Sequence, residues 1–215
     1  MHFFRLALIA SALAAPITTA HAQRGSHGRE AASAPTGLML NVHAFTTPGF
    51  GIKGPDVAGE IATSLGPGLG ARIGWGITPQ WMVFVGADLA RLGAGNGLEG
   101  HWGFGAIEIG GRLSFPSARG QLTPYVTAAY GWRGIGAKVE DQGQNQGDVS
   151  FDGMSLSAGG GVQYQMSPAL ALDGNVSFAY GKFGNYEDPF QTADLDVDNT
   201  LTAQVRLGVN FYPSF

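Results

Sequence analysis

The chain has 215 residues, with 12 Lys and Arg against 16 Asp and Glu, and a formal net charge of −4 at pH 7. This length allows one domain or at most two small ones. A mildly acidic chain lacks the basic patch that nucleic-acid binding needs, so we expect no nucleic-acid partner. The absence of Cys excludes disulfides and Cys-ligated metals. Charged residues are only 13 % and aromatic residues reach 11 %, which disfavours disorder.

Residues 1–22 have the pattern of a secretory signal peptide. Arg5 is their only charged residue, residues 6–15 form a short apolar stretch, and Ala20-His21-Ala22 is a small-x-small cleavage pattern. We therefore predict cleavage after Ala22. Loss of Arg5 changes the formal charge from −4 to −5. Residues 23–35 (QRGSHGREAASAP) are predicted to be a short flexible lead-in.

From residue 36 onward, eight segments alternate between an apolar and a more polar face, which is the period of a β-strand. The apolar faces run from Leu38 to Ala44, Leu69 to Ile77, Trp81 to Leu89, Ile107 to Phe115, Val126 to Trp132, Met154 to Tyr164, Leu170 to Tyr180 and Leu201 to Phe215. With their flanking residues these segments reach the length of about 9–11 residues that crosses a bilayer when a strand is tilted.

The connections between these segments alternate in length. Short turns are predicted at 78–80, 116–120 and 166–168, and long polar loops at 47–64, 93–101, 138–152 and 184–199. No run of about 18 apolar residues follows the signal peptide, so a transmembrane helix is not expected. Only a closed barrel then pairs all backbone groups in lipid. We predict an all-β fold: an eight-stranded, antiparallel, up-and-down transmembrane β-barrel over residues 36–215.

On these strand patterns, the loop alternation and the terminal Phe215, the chain resembles the OmpA/OmpX-type family of small outer-membrane barrels. The resemblance covers about residues 36–215. It implies export through the periplasm to the cell outer membrane of a Gram-negative bacterium, with residues 23–35 as a periplasmic lead-in. The implied partners are outer-membrane lipid, lipopolysaccharide and, through the C-terminal strand, the barrel-insertion machinery. The implied state is a monomer.

Aromatic residues indicate that the apolar face points outward. They gather on that face at both ends of the strands, as in the aromatic girdles of membrane barrels. The group beside the short turns and the C-terminus is Trp75, Trp81, Phe115, Tyr164, Phe211 and Phe215; the group toward the long loops is Tyr130, Trp132, Phe178 and Tyr180. The alternative is a soluble β-sandwich with aromatic residues at the ends of its core.

Seven charged residues occupy the opposite, polar face of the strands. They are Arg72, Asp88, Glu108, Arg112, Arg133, Asp173 and Arg206. Such charges are too costly for a dry apolar core, but an eight-stranded barrel has an interior just wide enough for side chains to fill. We predict that ion pairs plug the lumen, with Arg206 reaching across it. A charge-lined conduit is the alternative.

No motif predicts catalysis, a cofactor or a metal. Two G-x-G-x-x-G matches, starting at Gly49 and Gly95, lack the strand-to-helix context of a nucleotide site. Asp194-x-Asp196-x-Asp198 begins like a calcium loop, but Asn199 and Val205 replace the Gly and Glu that an EF-hand needs. A loose divalent-cation site there and a solvated acidic loop remain as alternatives.

Two functions remain from the sequence. The first is a non-enzymatic barrel with a structural or surface-interaction role. The second is a narrow pore or transporter for small solutes, apolar ones included, similar to OmpW. An enzyme acting on lipid A is disfavoured because the related deacylases use a His and a Ser on late strands, and no His follows His101.

Overall fold

The structure is a computed structural model that describes residues 36–47, 51–52, 61–62, 66–93, 101–116, 121–141, 144–183, 185–187, 192–194 and 200–213. All of them lie in one compact unit that spans residues 30–213. The predicted signal peptide (1–22), the lead-in (23–35) and Phe215 lie outside the described residues. The described part of the chain contains no helix that is long and apolar enough to cross a membrane.

Eight long strands form the body of the fold. They are β1 (Gly37–Thr47), β2 (Gly66–Gly76), β3 (Trp81–Gly93), β4 (His101–Ser114), β5 (Leu122–Asp141), β6 (Gln144–Ser167), β7 (Leu170–Gly181) and β8 (Thr200–Phe211). Each strand pairs antiparallel with the next one along the chain. Pairing of β8 with β1, from Leu40 opposite Phe211 to Thr46 opposite Val205, closes the sheet. The predicted eight-stranded antiparallel barrel is confirmed.

The apolar face of each strand points away from the barrel axis. Val42 and Leu69 keep 66 % and 68 % of their surface exposed, whereas Asn41 and Asp88, on the other face, are buried. In water this arrangement would forgo the free energy of burying apolar surface, about 25 cal/mol per Å². It is favourable only where the surroundings are apolar too, so the exterior matches a lipid environment.

The tight turns lie at one end of the barrel. The turn at residues 77–80 is held by a hydrogen bond from Ile77 N to Trp81 O (2.8 Å). Thr78 Oγ1 accepts further bonds from the backbone N–H groups of Gln80 and Trp81, at 3.2 and 3.0 Å. A hydroxyl that bonds the backbone in this way favours a turn over a continued strand.

At the other end, the predicted loop at 138–152 is wrong. Strands β5 and β6 continue as a paired hairpin up to Asp141 and Gln144, with a register shift between Val139 and Glu140. The two strands have 20 and 24 residues, about twice the 9–11 that cross a bilayer. The polar composition of this segment therefore does not end the strands, which continue beyond the length that the hydrocarbon layer requires.

Short strands also occur in two of the other predicted loops. Gly51–Ile52 pairs with Ile61–Ala62. Asn185–Glu187 pairs with Thr192–Asp194 and also with residues 150–152 of β6, which widens the sheet at the long-loop end.

The outward face of β3 provides a test of the fold. Val85 lies in mid-strand between Ile73 and Ile109 and is exposed to the exterior. Val85→Arg should lower the free energy of unfolding by about 2–4 kcal/mol, because the guanidinium would face hydrocarbon. Urea unfolding of the protein refolded into lipid vesicles measures this change. Gln80→Arg, in the exposed turn, should change stability by less than about 0.5 kcal/mol. Equal losses in the two variants would contradict the assigned exterior.

Candidate functional site in the barrel lumen

A cluster of charged side chains occupies the middle of the lumen. Arg206 Nη2 donates to Asp88 Oδ2 at 2.7 Å, and Arg72 Nη2 donates to Glu108 Oε1 at 2.6 Å. Arg206 Nη2 also lies 3.7 Å from Glu108 Oε1, so the two ion pairs adjoin. His43 Nε2 lies 2.8 Å from Asp88 Oδ1. Since a carboxylate only accepts hydrogen bonds, this ring nitrogen carries the proton. We call these five residues the central cluster.

Two glycines make room for the central cluster. Gly70 on β2 lies in register between His43 on β1 and Asp88 on β3. A Cβ at this position would come within 2.2 Å of Asp88 Oδ1 and 2.4 Å of His43 Nε2. Gly86 stands in the same relation to Arg72 and Glu108. The side chains thus meet their partners two strands away across a strand that carries no side chain at that level.

A second group of polar residues lies nearer the short turns. Arg112 donates to Gln163 Oε1 at 2.6 Å and to Asp173 Oδ2 at 3.4 Å. Its guanidinium lies 3.7 Å from the centroid of the Tyr125 ring, and the Tyr125 hydroxyl donates to Asp173 Oδ1 at 2.7 Å. Tyr212 donates to Gln163 Oε1 at 2.8 Å. We call Arg112, Tyr125, Gln163, Asp173 and Tyr212 the lower cluster.

Two asparagines connect the two clusters. Asn210 Nδ2 donates to Asp173 Oδ2 at 3.1 Å, and its Oδ1 accepts from Asn41 Nδ2 at 2.7 Å. Asn41 Oδ1 in turn lies 2.7 Å from His43 Nδ1. A series of polar contacts at hydrogen-bond distance therefore runs from Asp173 to Asp88. Networks of this kind fix one arrangement of a buried polar core, provided that every member is satisfied.

Arg133 lies apart from both clusters, toward the long loops. Its Nη1 donates to Thr202 Oγ1 at 2.9 Å, and its Nη2 donates to the carbonyl oxygens of Gly181 (3.1 Å) and Thr200 (3.2 Å) and to Thr200 Oγ1. The guanidinium lies 4.9 Å from the centroid of the Phe183 ring. Among the residues that the structure describes, no carboxylate forms an ion pair with it.

Apolar side chains close the lumen above and below these polar layers. At the long-loop end lies a buried cluster, the apolar cap: Phe45, Leu92, Phe104, Ile135, Phe151 and Phe183. At the short-turn end Met39, Met82, Ala171 and Tyr212 are buried together. Between the layers are cavities of about 20 and 30 Å³. Such volumes hold about one to three water molecules.

The seven predicted interior charges all point into the lumen, but they do not form one group. Four of them lie in the central cluster and two in the lower cluster, and Arg206 spans the lumen to Asp88 as its position on the last strand suggested. Arg133 stands alone. His43 was not predicted to be the partner of Asp88, although its place on the polar face of β1 was a signal. The apolar cap, whose strand residues lie on the same inward face, was not predicted either.

The predicted aromatic girdles lie on the barrel exterior. Exposed aromatic residues near the short turns are Trp75, Trp81, Phe115, Tyr164 and Phe211, and those toward the long loops are Tyr130, Phe178 and Tyr180. Trp132 is only partly exposed, and its Nε1 donates to Asp152 Oδ2 at 3.0 Å. An outward carboxylate at this height satisfies the indole N–H where the apolar surface ends.

The described side chains offer little for catalysis or metal binding. Nowhere among them do three or more His, Asp or Glu residues come together in a group that could hold a metal ion. His43 is the one His in the described lumen, and its two nitrogens face Asn41 and Asp88 rather than a hydroxyl nucleophile. His27, and the side chain of His101, lie outside the described part of the chain, as do Asp196 and Asp198 of the weighed cation site.

A closed antiparallel barrel with an apolar exterior, outward aromatic residues at both ends and a polar, filled interior defines the class of small membrane-spanning β-barrels. The family model for the outer membrane protein beta-barrel domain matches residues 7–211. The chain belongs to this family of outer-membrane barrels from Gram-negative bacteria.

Solved structures of similar fold agree with this assignment. Neisserial surface protein A superposes with a TM-score of 0.57 at 16 % identity, over 82 % of this chain and 97 % of that one. The outer membrane protein OprG from Pseudomonas aeruginosa gives a TM-score of 0.54 at 11 % identity, over 83 % of this chain and 97 % of that one. At such identities the similarity establishes the fold alone. No curated protein matches the chain in sequence.

The ion pair between Arg72 and Glu108 can be tested with a double-mutant cycle. Glu108→Gln should lower the free energy of unfolding by about 3–5 kcal/mol, because it leaves a buried guanidinium without its counter-charge. Arg72→Met alone should be similarly harmful. The double variant should lose less than the sum of the two, which is the mark of directly interacting residues. Urea unfolding of the refolded barrel measures all three; additive losses would contradict the pairing.

The close approach at Gly70 can be tested separately. Gly70→Ala should destabilise the barrel strongly, because the added methyl group overlaps the His43–Asp88 contact. Gly111→Ala is the matched control on β4, since a Cβ there meets nothing nearer than Met82 O at 3.8 Å. The midpoints of thermal unfolding of the two variants measure the difference in stability. Similar midpoints would show that Gly70 is not needed for space.

Proposed function

We propose that this protein is a non-enzymatic outer-membrane β-barrel with a structural or surface-interaction role, and that its lumen does not conduct. The observation that carries the proposal is the filling of the lumen by successive layers: an apolar layer at the short turns, the lower cluster, the central cluster, Arg133 and the apolar cap. Each layer draws side chains from strands on opposite sides of the barrel.

The energetics of the charged residues favour a plug over a conduit. Arg206 and Asp88 are 5 % and 3 % exposed, and each is hydrogen-bonded to a partner of opposite charge. Charges that line a water-filled pore keep most of their hydration and have little need of such partners. Buried charges, in contrast, are tolerated only when they are paired and hydrogen-bonded. The apolar cap adds a second barrier, because an ion that entered it would lose its hydration without gaining a polar contact.

The absence of catalysis is part of the same proposal. Nucleophilic catalysis needs a base within hydrogen-bond reach of a hydroxyl or thiol. His43 is instead held by Asn41 and Asp88 in the middle of the filled lumen, where no substrate has room to approach it.

The barrel exterior and the long-loop end supply the surfaces for a structural or interaction role. The exposed apolar belt with its aromatic ends supports contact with outer-membrane lipid and lipopolysaccharide. The long connections are rich in acidic residues, as in Glu187-Asp188 and Asp194-x-Asp196-x-Asp198, and are suited to presenting negative charge at the cell surface. On this proposal the short turns face the periplasm, the barrel is a monomer, and the alternating apolar face of β8 is what the barrel-insertion machinery recognises.

Conductance in planar lipid bilayers tests the proposal. The full protein should show no steady conductance, because the described side chains fill the lumen in successive layers. A known porin inserted in the same membrane serves as the positive control. Steady openings in the unmutated protein would contradict the plug and favour the narrow pore or transporter instead.

A further inference from the structure

Among the described side chains, the interior charges of the barrel do not balance. In the central cluster Arg72 and Arg206 face Glu108 and Asp88, and in the lower cluster Arg112 faces Asp173. Arg133 remains without a counter-charge among the described residues, although it is only 2 % exposed. Neutral hydroxyl and carbonyl oxygens satisfy its Nη groups, but they do not cancel its charge. A buried, uncompensated guanidinium is among the costliest groups that a protein can contain.

A cavity lies directly beside this charge. Its volume is about 30 Å³, and its wall includes Arg133, Arg206, Ser155, Ser157 and Thr202. Thr202 Oγ1 accepts the bond from Arg133 Nη1, so its own proton is free to point elsewhere. The Nε atoms of Arg133 and Arg206 are buried and lack a hydrogen-bond partner within the described structure. The wall therefore combines two guanidinium groups and several hydroxyl groups with apolar side chains, among them Phe104 and Ile107.

One carboxylate, that of Glu108, also lines the cavity. It is already engaged by Arg72 at 2.6 Å and lies 3.7 Å from Arg206. Two guanidinium groups thus act on this one carboxylate, and neither of them is that of Arg133.

We propose that this cavity is a binding site for a small monovalent anion, of the size of chloride or bromide, which serves as the counter-ion of Arg133. Water would satisfy the hydroxyl groups but would leave the charge uncancelled, whereas a halide does both. A halide suits this small cavity, which is large enough for about one to three water molecules. Phe104 of the apolar cap forms part of the wall of the site. This site goes beyond the proposed function, since a plugged barrel could close with or without it.

Refolding in different salts tests the site. The full protein is refolded into detergent in sodium chloride or in sodium gluconate at constant ionic strength, and its unfolding equilibrium in urea is compared. Gluconate is too large for the cavity. Above the dissociation constant, each tenfold rise in chloride should lower the unfolding equilibrium constant about tenfold, as linkage to one site requires. Crystals grown in bromide should show an anomalous scattering peak in the cavity.

Three variants separate site binding from general salt effects. Arg133→Gln removes the charge and should abolish the chloride dependence. Ser157→Val fills the cavity while keeping Arg133, so it should abolish the dependence even if Arg133→Gln fails to fold. Arg91→Gln, an exposed position on the outward face of β3, is the matched control and should respond to chloride like the unmutated protein. An unchanged response in Ser157→Val, or a cavity that holds only water in bromide crystals, would overturn the proposal.

Discussion

Backbone hydrogen bonding in lipid is the constraint on which the rest of this structure depends. Hydrocarbon offers no partner to an N–H or C=O group, so every strand must be paired on both sides and the sheet must close. Closure with eight strands produces a narrow interior that side chains have to fill. Because the apolar face contacts lipid, the side chains of the polar face have to fill that interior. The ion pairs, the linking amides and the two apolar ends are solutions to this single packing problem.

The central cluster shows which inward side chains can contact one another in a narrow lumen. Side chains on adjacent strands point the same way and crowd one another, whereas side chains two strands apart converge across the curvature of the wall. They meet only where the strand between them leaves space. His43 and Asp88 meet over Gly70, and Arg72 and Glu108 meet over Gly86. Glycines on the inward face of this barrel thus mark the positions over which long polar side chains interact, in addition to allowing the wall to curve.

The sequence predicted the strands, the closure of the sheet into a barrel, and the inward and outward faces of the strands. All three follow from the alternation of apolar and polar residues at every second position and from the lengths of the loops. It predicted less well how far up the lumen each side chain lies, because that depends on the register between strands. His43 was therefore not recognised as the partner of Asp88. The apolar cap was missed for a different reason: Phe45 and Phe104 lie near strand ends on the face that was taken as polar, and Phe151 lies in a predicted loop. At 138–152, polar composition predicted a loop where the backbone continues as strands, since beyond the bilayer alternation is no longer required.

The ion pairs between distant strands have a consequence for how the barrel comes together. Asp88 on β3 meets Arg206 on β8, and Arg112 on β4 meets Asp173 on β7. The first four strands therefore present an acid and a base whose partners arrive only with the last two. In a half-assembled sheet in the membrane, these charges would lack their partners. The free-energy cost of the unpaired charges is removed only when the barrel closes by pairing of β8 with β1. The lumen thus couples the two halves of the chain, so that partly inserted intermediates are penalised and assembly becomes cooperative.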